Sequence, residues 1–296
     1  MSSSTTPGTP PASLVTNNVR SSIMQTSNSS TRLTTRIGDT FRAAIIAGLV
    51  AGLLVSIFHL LFTERLIDLA ISYEELLASQ QGHEAMEEVV SRDIQKGVGL
   101  ITGFMAYGLF LSFIYAVAFT LSQRLLPTSS AKSKGLILAV IAYWHLALFP
   151  FLKYPANPPA VGDPDNIAQR QALFLAAMAL AFLGTLLAYG FNRLLHRNIS
   201  TDKSSIFDLS VRTRTALTLG FYAIYTLGIY LALPSKEPTI SIPFEVVFNF
   251  RLLSLLGLTI FWAVIGGIFS LIAARWKESL SPRPAPVLSG VEGGEG

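Results

Sequence analysis

Six long stretches of this chain contain no charged residue: Ala43–Phe62, Gly97–Leu121, Gly135–Leu152, Ala172–Phe191, Ala216–Leu233 and Leu252–Ala274. Their lengths are 20, 25, 18, 20, 18 and 23, together 124 of 296 residues. A soluble core helix would interrupt such runs with a polar face at every turn. About 20 apolar residues in helical form cross the hydrocarbon core of a bilayer. Lipid offers the backbone no hydrogen-bond partner, so a chain that enters it must satisfy its own N–H and C=O groups, as a helix does. The pattern predicts an all-α, polytopic membrane bundle of six transmembrane helices.

Composition narrows the function. Only 14% of residues are charged, against about 25% in an ordinary soluble domain. That excludes a disordered chain and argues against a soluble enzyme. With no cysteine, neither a disulfide framework nor a thiolate metal site can form. No Gly-rich phosphate loop and no nucleophile–base pair lies at a span end, so an enzyme is not expected. Three segments follow: a disordered tail over 1–40 with nine Ser and nine Thr, a transmembrane domain over 41–276, and a Pro/Gly-rich disordered tail over 277–296.

The net charge of +4 does not point to nucleic acid, because its sign changes along the chain. With six spans, residues 1–42, 122–134, 192–215 and 275–296 share one side. That side holds 15 Lys and Arg against 6 Asp and Glu, a net +9. The other side, 63–96, 153–171 and 234–251, holds 7 against 12, a net −5. The Lys/Arg bias predicts a multi-pass protein of the cell membrane with both termini cytoplasmic. The acidic side then faces outward and would concentrate cations.

Two of the outer loops carry candidate residues. Loop one, Thr63–Lys96, holds eight carboxylates, among them Glu64, Glu74 and Glu75. Its apolar spacing predicts a helical hairpin broken near Gly82. His83 and Glu87 stand i, i+4 on one face, a weak metal-ligand spacing that also fits a solvated acidic face. Loop two carries four prolines between 155 and 164, which stiffen it. Asp163-Pro164-Asp165 reads as a helix start. Lys153, Tyr154 and Asn157 have no such explanation and are candidates for a gate or substrate contact. Arg92, Arg170 and Arg251 lie at outer helix ends. They either snorkel to the headgroups or pair with Glu64, Glu74, Glu75, Asp163 or Asp165 in a vestibule. Inside the spans, His145 is a bundle histidine or a metal ligand or proton relay, and His59 reads as interfacial. Gly48-x-x-x-Gly52, with Ala44, Ala47 and Ala51, forms a small-residue face for close helix contact.

The run Lys153-Tyr154-Pro155-Ala156-Asn157-Pro158-Pro159-Ala160-Val161-Gly162-Asp163-Pro164-Asp165, followed by Ile167 and Arg170, closely resembles the signature loop of the CbtA family of predicted cobalt transporter subunits, in its six-span branch. Shorter stretches agree in order: Tyr73-Glu74-Glu75, Ser91-Arg92 with Gln95 and Gly97-Val98-Gly99, and Phe250-Arg251-Leu252 through Ile265-Gly266. The resemblance runs from about Ile45 to Ala273. It implies a membrane transporter or transporter subunit. Its cargo would be Co²⁺ or another divalent cation, with no permanently bound cofactor and with a small membrane partner subunit. The residues leave open a permease for a small organic or anionic solute, a membrane assembly factor, and a homo-oligomer in the bilayer.

Overall fold

The computed structural model describes residues 37–80, 90–123, 125–126, 130–201, 210–235 and 240–278. Within them are six helices long and apolar enough to cross a membrane: α1 (Ile37–Gln80), α2 (Arg92–Ser122), α3 (Ala131–Lys153), α4 (Ile167–His196), α5 (Val211–Ala232) and α6 (Phe244–Trp276). The fold is the all-α membrane bundle expected from the apolar runs. The break near Gly82 and both sequence tails lie outside the described residues, save 37–40, which begin α1, and 277–278, which prolong the last helix.

Every helix outruns its charge-free stretch. The extreme is α1, whose 44 residues reach about 66 Å at 1.5 Å per residue. The first leg of loop one is therefore a direct continuation of span one, carrying Glu64, Asp68, Glu74 and Glu75 beyond the apolar segment.

Packing divides the bundle into four helices and two. The larger group is α1, α2, α3 and α6, whose shared core includes Val55, Tyr115, Phe261, Ile265 and Phe269. The small-residue face of α1 lies at its centre: Ala43, Ala44, Ala47 and Ala51 are buried. A Cβ on Gly48 would collide with the Gly108 carbonyl oxygen, and one on Gly52 with that of Phe104. The α1 and α2 backbones thus touch, as small residues at this spacing permit. Between α3 and α6, Gly135 lies against Ser270 and Phe269, and Gly266 against Ala139. Tyr115 donates to the Gly135 carbonyl at 2.6 Å, tying α2 to the same seam.

The remaining two helices pack on each other. Gly184 of α4 receives Tyr222 and Tyr225 of α5, and Tyr225 donates to the Leu180 carbonyl at 3.0 Å. Phe149, Ala177 and Ala181 then join α3 to α4. Ile224, Leu227 and Leu231 of α5 are exposed apolar groups, suited to lipid rather than to water.

Three helices contain a π-helical turn: His59–Thr63 in α1, Gln95–Gly99 in α2 and Trp144–Leu148 in α3. All three lie in the half of the bundle that carries the 154–166 connection. Such turns recur at functional sites, and two of them hold the intramembrane histidines His59 and His145.

Candidate functional site

The proline-rich connection between α3 and α4 is folded down, not splayed. Val161 packs with Ala70, Ile242, Val246 and Val247 in a small core of its own. An isolated antiparallel bridge pairs Val161 with Ile240. The loop is thereby fixed to the extension of α1 and to the entry of α6. Its turn is made by Ala160 at φ 62° and Gly162 at φ +101°. A side chain at Gly162 is strained by the backbone and would also collide with the Arg170 guanidinium.

Beneath this loop is a cavity of about 810 Å³. Its lining includes Lys153, Tyr154, Asn157, Asp163, Arg170 and Arg251, with Phe174 and Leu258 as apolar walls. Six of the candidate residues therefore converge, from α3, the loop, α4 and α6. Each is held. Arg251 donates through Nη2 to Asn157 Oδ1 at 2.7 Å. Lys153 donates to Ser235 Oγ at 2.6 Å, with its ammonium 4.8 Å from the centre of the Tyr230 ring. Tyr154 donates to the Pro234 carbonyl at 2.9 Å. Burial pushes its phenol above the ordinary value, so it remains a donor.

Asp163 does what a helix-start carboxylate does. Its Oδ1 accepts from the Asp165 backbone N–H at 2.9 Å, and its Oδ2 from Asn166 Nδ2 at 2.8 Å. Arg170 reaches the Asp163 carbonyl oxygen at 3.5 Å and not its carboxylate. Asp165 is exposed, and so are Glu74 and Glu75 on α1; none of the three is among the residues lining the cavity.

A separate cluster joins the extension of α1 to the start of α2. Arg92 donates to buried Glu64 at 2.5 Å and to Asp68 at 3.2 Å, and Lys96 reaches Asp68 at 2.7 Å. Asp68 was not singled out by the sequence reading. Its place four residues after Glu64, on the same helical face, was the available signal.

His145 is buried, stacked on Phe182 at 4.5 Å between ring centres. Its Nδ1 is 2.6 Å from the Ile141 carbonyl, so that nitrogen carries the proton. Nε2 then accepts, from the Thr185 hydroxyl at 2.7 Å. The Tyr222 hydroxyl stands 3.3 Å from Nε2 and accepts from Trp144 Nε1 at 2.7 Å. This chain of hydrogen bonds links α3, α4 and α5. His59 is bonded to Thr63 at 2.8 Å within its π turn and lies against Gly257 of α6. His83 and Glu87 lie outside the described residues. Among the described residues no three His, Asp or Glu side chains are grouped to hold a metal ion.

A family model described as "Probable cobalt transporter subunit (CbtA)" matches residues 39–274. No curated protein and no solved structure matches the chain.

Proposed function

The chain belongs to the CbtA family, and from that premise we propose that it is the membrane-spanning subunit of a transporter that carries cobalt across the bilayer. Its entry is the cavity under the proline-rich loop. One observation supports this reading above the others: the signature loop is packed as the roof of an 810 Å³ cavity, within the size range of small-molecule sites, at one end of a six-helix membrane bundle. The Lys/Arg asymmetry supports an orientation with both termini in the cytoplasm and the cavity facing out. The word subunit in the family's description supports a partner in the membrane.

The experiment is cobalt accumulation at limiting supply, in cells lacking the protein and in cells carrying it again. Restored cell-associated cobalt is the expected result. Unchanged content of cobalt and of other divalent ions in both would overturn the reading.

A second reading, a permease for an organic anion, is favoured by the sign of the cavity. Among the described residues three cationic side chains and one carboxylate line it.

A further inference from the structure

The cavity is built for the wrong charge if its guest is a bare metal ion. Among the described residues, Lys153, Arg170 and Arg251 line it against one carboxylate, that of Asp163. Both oxygens of that carboxylate already accept hydrogen bonds within the turn. A hard or borderline dication needs oxygen or imidazole ligands, and among the described residues no histidine lines the cavity. The Coulomb term of a net positive wall opposes a dication and attracts an anion.

The donors tell the same story. Arg251 Nε is buried with no hydrogen-bond partner among the described residues, while Nη2 is committed to Asn157. An orphaned buried donor costs free energy, which an acceptor recovers only where the side chain turns to meet it. Arg170 projects under Gly162, where an added side chain would collide with it. Among the described residues its hydrogen bond is the long one to the Asp163 carbonyl. Guanidinium forks match carboxylates with two parallel hydrogen bonds. The volume of about 810 Å³ exceeds what one inorganic ion would fill and suits a small organic molecule.

We propose that this cavity binds an organic polycarboxylate through Arg170 and Arg251, either as the free acid anion or as its cobalt chelate. The inference rests on the cavity being the entry for the transported solute, and it names the chemical class of that solute. A chelate would present carboxylate oxygens to the two guanidiniums and shield the metal from them.

The test is equilibrium binding to the purified full-length protein in micelles, by calorimetry. The probes are citrate, cobalt chloride, cobalt with equimolar citrate, and inorganic phosphate. Citrate is expected to saturate one site per chain, alone or with cobalt, while cobalt chloride shows no saturable binding at the same concentrations. Tighter binding of free citrate identifies the acid anion as the guest, and tighter binding of the cobalt–citrate mixture identifies the chelate. Arg251→Ala and Arg170→Ala should each weaken citrate by about tenfold or more, as loss of a charged hydrogen-bond partner implies. Arg251→Lys, which keeps the charge and loses the fork, should fall between. It also stands in if Arg251→Ala unfolds through loss of its Asn157 bond. Saturable binding of cobalt chloride alone, phosphate binding as tight as citrate, no citrate binding, or citrate binding indifferent to both arginines would each overturn the proposal. Because binding is read on purified protein and transport in cells, failure of one does not imply failure of the other.

Discussion

Replacing Gly162 with alanine tests how the cavity's roof is made. Gly162 has φ +101°, a conformation that costs a residue with a Cβ about 1–3 kcal/mol. A second cost follows from packing, because the new methyl would occupy the space of the Arg170 guanidinium. Arg170 is the far end of a flexible side chain, so it can yield, at the price of its position in the cavity. The two costs separate in a double-mutant cycle with Arg170→Ala. Alone, Gly162→Ala should destabilise the purified protein by about 2–4 kcal/mol in denaturant unfolding, the backbone cost plus roughly 1 kcal/mol for the displaced side chain. In the Arg170→Ala background only the backbone cost should remain. Equal losses in the two backgrounds would show that Arg170 does not lie under the turn. No loss in either would refute the left-handed conformation of Gly162 itself.

Other outcomes follow from the packing. Gly48→Val should cost about 3 kcal/mol or more, since its side chain meets backbone that cannot move aside. Gly103→Ala, with nothing within 4 Å of the added carbon, should stay within about 0.5 kcal/mol of wild type; equal behaviour of the two glycines would contradict the α1–α2 contact. Glu64→Ala should lower stability by about 2 kcal/mol by taking the buried partner from Arg92, and Glu64→Gln by less, both read by unfolding in denaturant. Tyr222→Phe leaves the Trp144 N–H unpaired and should cost about 1 kcal/mol, with a shift in tryptophan emission as a local readout.

The spans were legible because hydropathy at this length has one physical solution, and the α1–α2 contact was legible in Gly48-x-x-x-Gly52. The continuity of α1 as far as Gln80 was half legible. Leu66, Ile67 and Ala70 already carried helical spacing, but no single signal told a continuation from a separate hairpin. The sign of the cavity was hidden by summation. The −5 of that side is carried entirely by loop one, whereas the residues that line the cavity come from the proline-rich loop and from helix ends far apart in sequence. Arg92 and Glu64 pair across 28 positions, and nothing local in either segment specifies that choice over Glu74 or Glu75. The π turns left no mark either, since one additional residue in a helix changes no composition.

The π turn in α3 reaches further than its five residues. Before it, Gly135 and Ala139 face α6; after it, Phe149 faces α4. Each residue of an α-helix advances the facing direction by about 100°, so one surplus residue at 144–148 turns all that follows it by that much relative to a regular helix. A chain lacking one residue there would keep the same span, the same hydropathy and the same signature loop. It would nevertheless aim Lys153 about a quarter-turn away from the cavity. An alignment gap inside a transmembrane segment would then separate two kinds of solute site that share every motif.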